Sequence, residues 1–521
     1  MAVTKSGEPH ETIGRRVRAI FPKEAFSSWG TWPPNVFAVA ASILSTSGGY
    51  ASIVNEWHDR TTWPEVAKKT GKQWVRAVEN GKPPPKKVRD AWTVVQRSFA
   101  RPLIDSLHQN ELRTALLELI IFADEASAGV GIPHATTHDT PRLLVQATGY
   151  LLLDQTLAPK IPKTVLTVLP KQHTPTVGVT LRSLTHHLAL LESSEVAVRW
   201  HWLPSQHDRK TLNLLIVPWP YSVSSRDFAP RNVKNGCAPE FDYHPVVDDA
   251  AGLALELQQL LSKAKANKQR VDGIILPESA MSPEAFSAAS AVAKKTKAFL
   301  IGGVRGRLQT SKRPVNVAVM RFFNSTTGDM VEIQQRKHHR WKLSGGQVKN
   351  YRLDKKLDPT KDWWESTVIS KRAVNFICLR TDFVVCCLIC EDLARQDPIA
   401  DVVRIVGPNL VIALLFDGPQ LKNRWPGRYA TVLSDDPGSS VLSVTSKGMV
   451  DRSVPRGGEV RKTSIALWQD ALSDHSEISL PPGKSAALLC LETKAAEEQT
   501  LDGRLDGEAT FYPVIKSVKY L

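Results

Sequence analysis

Three strand-like stretches of this chain each run into a side chain that can do chemistry. Phe383–Ile389 is an unbroken apolar run that ends in Cys390, Glu391 and Asp392. Asp272–Leu276 closes in Pro277 and Glu278, and Gln334–Arg336 leads into Lys337, His338, His339, Arg340 and Trp341. A thiol, a carboxylate and an ammonium group together meet the needs of acyl transfer. The thiol attacks as thiolate and needs a base and a nearby positive charge to reach that form. The carboxylate takes that proton, returns it to the leaving amine and then activates water. The ammonium group, with backbone N–H donors beside it, stabilises the tetrahedral oxyanion. The candidate catalytic residues are therefore Glu278, Lys337 and Cys390.

Each residue also has a plainer reading. A lone cysteine in an apolar run packs as a small hydrophobe; the order of carboxylate, lysine and thiol along the chain gives Cys390 its chemical reading. Cys386, Cys387 and Cys390 do not suit a metal cluster, because successive strand residues face opposite sides and no second Cys/His pair lies nearby in sequence. Asp392 reads as structural, capping or hydrogen-bonding the turn. His173, His186, His187, His201 and His207 lack zinc spacing and read as core or solvent-facing residues.

Positioning three such residues takes an α/β framework. Phe383–Ile389 is short and rich in β-branched and aromatic residues, which fits a strand buried on both faces. Around it the pattern alternates: strands at Leu212–Val217, Gly273–Leu276, Ala298–Gly302, Asn316–Asn324, Met330–Gln335, Val374–Leu379, Leu410–Leu415, Val441–Thr445 and Ser464–Trp468, with helices at Val247–Ala266, Pro283–Lys295 and Trp425–Ser434. Upstream, Leu143–Leu157 reads as a helix, Thr164–Leu169 as a strand, Val177–Leu191 as a helix and Val196–Leu203 as a strand, an order resembling a βαβ unit.

The first part of the chain differs in character. Its 1–101 stretch holds 16 Lys and Arg against 8 Asp and Glu, so +8 of the net +15 lies there. Such asymmetry points to an acidic partner, nucleic acid being the usual one. Trp29, Trp32, Trp57, Trp63, Trp74 and Trp92 could stack on bases, but tryptophans more often fill cores. Helical apolar spacing runs through Leu103–Ala126, with Leu112, Leu116, Leu117, Leu119, Ile120 and Ile121 on the packed side. The opening Met1–Arg18 has no secretory pattern, no apolar run approaches a bilayer span, and six sparse cysteines fit a reducing compartment. The expectation is a cytoplasmic protein without a membrane segment. Its divisions are expected at 1–140, a basic and mostly helical module; 141–210, a small α/β connecting segment; 211–494, the α/β domain; and 495–521, a polar peripheral tail.

Over about Thr211 to Thr493 the sequence resembles the nitrilase superfamily of carbon–nitrogen hydrolases. The resemblance rests on the Pro277-Glu278 strand end, the basic turn at Lys337, the Cys390-Glu391-Asp392 strand end, and Arg424-Trp425 with Arg428 and Ala430 in a following helix. It implies a four-layer αββα sandwich, paired through its helices into a homodimer or higher homo-oligomer, with no cofactor. By the same resemblance Glu278 is the base, Lys337 the oxyanion stabiliser and Cys390 the nucleophile in an amidase or nitrilase that cleaves a non-peptide C–N bond of a small molecule through a thioester. Family members often carry a second glutamate after the lysine; Glu365 is the candidate, with Gln347 the other residue in that region. Residues 342–373 read as an insertion, with Trp363-Trp364-Glu365 a lid candidate and Lys342 an alternative to Lys337. The competing class is a nitrilase-fold scaffold or regulatory protein that binds nucleic acid through the basic N-terminal module, as in bacterial antiviral systems that place nitrilase-like modules beside reverse transcriptases.

Overall fold

The structure, a computed structural model, describes residues 11–22, 24–56, 62–130, 140–192, 195–203, 210–231, 237–245, 249–307, 313–323, 329–380, 383–454, 462–507 and 510–521. The chain divides into two compact units, the first formed by Met1–Glu195, Ile405–Gly407 and Ala496–Thr510, the second by Val196–Arg404, Pro408–Ala495 and Phe511–Leu521.

In the first unit the central element is the helix Asn110–Ala126, most of whose residues are buried. The helices Pro33–Ser47, Trp63–Glu79 and Lys86–Arg97 pack around it. Pro33 and Pro34 do not break their helix; they open it, where a missing N–H costs nothing. Trp29, Trp32, Trp63, Trp74 and Trp92 are all buried, so they serve the core and offer no stacking platform; Trp57 lies outside the described residues. At the C-terminal end of the central helix, Asp124 accepts N–H bonds from His186, His187 and Leu188 at 2.8–2.9 Å. Arg504 reaches the same place, bonding Asp124 at 3.1 Å, Glu125 at 2.6 Å and Asp502 at 2.8 Å with its side chain wholly buried.

Three sequence expectations change here. Val177–Leu191 is not a helix: Gly178 sits at φ 84°, Thr180 caps a short turn at Leu181–Leu184, and Leu188–Glu192 pairs antiparallel with Leu166–Pro170. Hydroxyl side chains that bond nearby backbone, together with a left-handed glycine, outcompete the helical apolar spacing. The expected βαβ unit is thus an antiparallel pair. The 141–210 segment is not one piece, because Ala197–Trp202 joins the second unit by pairing in parallel with Ala373–Arg380. Nor is 495–521 a peripheral tail. Residues 496–510 enter the first unit, and Thr510–Tyr520 forms the edge strand of a large sheet in the second.

The second unit holds two seven-stranded sheets. In spatial order one comprises Met330–Arg336, Pro314–Phe323, Phe299–Arg307, Gly273–Met281, Thr211–Ile216, Ala487–Ala496 and Thr510–Tyr520. The other comprises Ser476–Ser479, Ser464–Gln469, Ser440–Val444, Leu410–Leu414, Phe383–Ile389, Ala373–Arg380 and Ala197–Trp202. Alternation along the strands sorts the side chains between layers. Leu214, Ile216, Ile275, Ile301 and Met320 of the first sheet share one core with Ile377, Val385, Cys387, Ile389 and Ile412 of the second. Their neighbours Leu215, Ile274, Leu276 and Leu300 point the other way, onto the helices Ala250–Ala266 and Pro283–Thr296. The helix Trp425–Asp435 packs on Ser440–Val444 and Ser464–Gln469. A small sheet of Lys342–Leu343, Trp363–Glu365, Glu240–Tyr243 and Phe228–Arg231 carries its own aromatic core. Trp363–Glu365, the lid candidate, is therefore a strand paired in parallel with Glu240–Tyr243.

Among the described residues no helix is long and apolar enough to cross a membrane. Removing Arg504 would strand the buried Asp124 and Asp502 carboxylates without their counter-charge. Arg504→Ala should lower the unfolding free energy by about 3–5 kcal/mol, seen as a fall in denaturant midpoint, while Arg97→Ala on the surface should leave it nearly unchanged.

Candidate active site

The strand Phe383–Ile389 is buried along its whole length, antiparallel to Ala373–Arg380 on one side and parallel to Leu410–Leu414 on the other. It ends at Cys390, which opens a short turn, Cys390–Leu393, with φ at 47°. A non-glycine residue in that left-handed region costs about 1–3 kcal/mol and persists only where its surroundings over-determine it. Asp392 supplies part of that determination. It accepts bonds from the backbone of His338 at 3.1 Å and of His339 at 3.0 Å, and from His339 Nδ1 at 3.0 Å. One structural carboxylate thus ties the turn bearing Cys390 to the turn bearing Lys337.

Lys337 follows the strand Met330–Arg336 and continues its ladder, its N–H bonding Asn316 O at 3.1 Å. Its side chain is buried, and Nζ donates to Glu278 Oε1 at 2.7 Å and to Glu365 Oε2 at 2.6 Å. Asn316 Nδ2 bridges the same two glutamates at 2.8 and 2.9 Å. Arg305 Nη1 adds a bond to Glu365 Oε1 at 3.0 Å, and the Trp341 N–H one to Glu365 Oε2 at 3.1 Å.

Glu278 is delivered by an irregular strand. The ladder to Phe299–Arg307 slips between Leu276 and Met281, and Ser279 takes φ 51°. Gly303 makes room for this bulge: a Cβ there would lie 2.4 Å from Glu278 Cα and 2.5 Å from Ser279 N.

The two glutamates are unequal. Burial alone would raise the Glu365 pKa, but the charges of Lys337 and Arg305 outweigh it and hold the carboxyl down at about 2. For Glu278 burial wins over the Lys337 charge, and the Glu365 charge adds to it, so its pKa stands above the usual carboxylate range. Glu278 Oε2 is also buried without a hydrogen-bond partner among the described residues. Lys337 stays protonated, the carboxylates overcoming the pull of burial. Cys390 is 3% exposed, and its pKa is raised by burial and by the charge of Glu278, against the opposing charge of Lys337. The resting site is a neutral thiol within the electrostatic reach of a basic carboxylate and an ammonium group.

Of the sequence candidates, Glu278 and Lys337 touch, and Cys390 lies within their field. Glu365 joins them. Gln347 does not: it completes a capping box with Ser344 on the helix Gly345–Asn350. Lys342 is half-exposed and pairs with Asp362 at 2.7 Å. Asn316 and Arg305 are not legible in the sequence, since a polar residue inside a strand carries no local sign of what it faces. Elsewhere, His173 pairs with Glu498 at 3.3 Å, His186 lies buried beside Thr174, and His201 bonds Asn375 at 2.8 Å; His207 is outside the described residues. Among the described residues no three His, Cys, Asp or Glu side chains are grouped to hold a metal ion.

No protein-family model matches the chain, and no curated protein matches it in sequence. Solved structures similar to it are of the nitrilase superfamily. A variant of the amidase of Nesterenkonia AN1 is 11% identical, with 54% of this chain and 91% of that chain covered at a TM-score of 0.34. For Saccharomyces cerevisiae Nit3 the figures are 11%, 54%, 90% and 0.34. For a carbon–nitrogen hydrolase from Helicobacter pylori G27 they are 13%, 52%, 87% and 0.32. At this distance the chemistry of the present site rests on its own geometry.

Replacing Glu365 by glutamine removes a negative charge that raises the pKa of Glu278 and leaves Lys337 to serve Glu278 alone. Glu365→Gln should therefore move the Glu278 titration to lower pH, read by carbon-detected NMR of labelled glutamate carboxyls. An upward shift would contradict that charge balance.

Proposed function

We propose that the second unit is a carbon–nitrogen hydrolase of the amidase type, acting on a non-peptide C–N bond through a thioester on Cys390. The observation that carries this reading is the buried Lys337 ammonium held between two glutamates, only one of which has an oxygen to spare. Two carboxylates with pKa values driven apart divide the labour of acid–base chemistry. Glu365, low in pKa and bonded through both oxygens, fixes the lysine. Glu278, raised in pKa and with Oε2 unengaged, is the base.

The steps follow from these assignments. The Cys390 thiol passes its proton to Glu278 as sulfur attacks the amide carbonyl carbon, and the carbonyl oxygen takes up negative charge beside Lys337. As the tetrahedral adduct collapses, the C–N bond breaks and Glu278 returns the proton to the departing nitrogen, releasing ammonia or an amine. Water then gives a proton to Glu278 and attacks the thioester. In the second collapse the C–S bond breaks, the carboxylic acid leaves and Glu278 returns its proton to the Cys390 sulfur. A high thiol pKa suits this scheme, because the proton leaves during attack and no thiolate must be stored at rest.

Ammonia release from a panel of small primary amides, followed with the intact mass of the protein, tests the reading. Cys390→Ala should abolish both turnover and the acyl adduct. Glu278→Gln should lower kcat by about 10²–10⁴-fold while the fold is kept. Turnover that survives Cys390→Ala would overturn the assignment.

A further inference from the structure

Asp417 is another of the buried carboxylates with an unanswered oxygen, and no step of the proposed hydrolysis uses it. The strands Phe383–Ile389, Leu410–Leu414 and Ser440–Val444 run parallel, with Ile389 beside Leu414 and Leu414 beside Val444. Cys390, Asp417 and Thr445 therefore leave the sheet at the same end, the C-terminal ends of parallel strands, where ligands of such sheets gather. The peptide of Asp417 is held there twice: its N–H donates to Thr445 Oγ1 at 3.1 Å, and its carbonyl accepts from the same hydroxyl at 2.6 Å.

The side chain is fixed on one side only. Oδ1 accepts from the Tyr351 hydroxyl and from Arg424 Nη2, the latter at 2.9 Å. Oδ2 is buried and has no partner among the described residues, and the residue as a whole is 5% exposed. The Tyr351 ring meets Trp341 edge-on at 6.1 Å, and the Trp341 backbone bonds Glu365. Asp417 is thus linked by contacts to the glutamate that holds Lys337, and its charge reaches the Cys390 thiol. Leaving a carboxylate oxygen buried and unpaired costs about 1–3 kcal/mol or more, and such a group in a folded protein calls for an explanation.

We infer that Asp417 Oδ2 receives an N–H donor of the substrate, so that the preferred substrate is an amide bearing an amino group at the end away from the scissile bond. This rests on the amidase reading and names its substrate class. An acceptor or an apolar group at that end would leave Oδ2 stranded. An amino group satisfies it with a charge-assisted bond, stronger than a neutral one.

The test compares β-alaninamide, γ-aminobutyramide and their longer homologues with the isosteric butyramide, valeramide and homologues, which replace the amine by methyl. For at least one chain length the wild-type protein should prefer the amino amide by about tenfold or more in kcat/KM, and Asp417→Asn should erase that preference. A parallel calorimetric titration on Cys390→Ala, which cannot turn over, should show tighter binding of the same amino amide and does not depend on catalysis. If valeramide and its homologues are hydrolysed as well as their amino partners, the inference falls while the amidase reading stands. If Cys390→Ala binds the amino amides selectively but the wild-type protein releases no ammonia, the amidase reading falls and the Asp417 site stands. Neither binding nor turnover at any chain length would overturn both.

Discussion

A lysine ammonium buried between two carboxylates is the constraint on which the second unit's local structure depends. Removing a charge from water is costly, and attraction to its partners repays that only when the geometry is close and further hydrogen bonds hold the partners in place. Lys337 meets the condition with both glutamates within 2.7 Å, Asn316 bridging them and Arg305 balancing the second negative charge. Such a cluster is weak as a source of stability, since apolar residues of similar volume would often do as well. Its value lies in holding reactive groups in one place.

Two left-handed non-glycine residues of the second unit, Ser279 and Cys390, lie at that place. Glu278 comes from a bulged strand, Lys337 from the end of the edge strand of the same sheet, Glu365 from the small sheet and Cys390 from the second large sheet. Bringing them together requires the left-handed backbone at Ser279 and Cys390, the missing Cβ at Gly303, and Asp392 clamping one turn to the other. The chemical asymmetry follows from the same geometry. Glu365 has a donor on each oxygen, whereas Glu278 keeps one oxygen free and stays basic. Asp417 repeats the theme nearby, with one oxygen engaged and one open.

Much of this site could be read from the sequence because buried strands announce themselves. Gly273–Leu276 and Phe383–Ile389 are apolar on both faces, so a charged or nucleophilic residue at the end of either stands out. Glu365 was visible only as one of two choices, since the small sheet that carries it forms from pieces more than a hundred residues apart and pairing of that kind leaves no local pattern. Gly303 carries no local sign of its role, which appears only where the bulge crosses it. Val177–Leu191 misled because apolar spacing suited a helix while Gly178 and its hydroxyl-bearing neighbours suited a turn. The last strand was hidden by Lys516 and Lys519, which occupy its exposed positions and make a half-buried strand look like a polar tail.

In the proposed hydrolase Glu278, Lys337 and Cys390 act on one carbonyl group. The most direct measurement is a crystal structure of the Cys390→Ala protein with a small primary amide bound. The amide carbonyl carbon should lie about 3–3.5 Å from the position of the missing sulfur, with its oxygen bonded to Lys337 Nζ and its nitrogen beside Glu278 Oε2. An amide bound away from Lys337 and Glu278, with the residue at 390 turned from both, would contradict it.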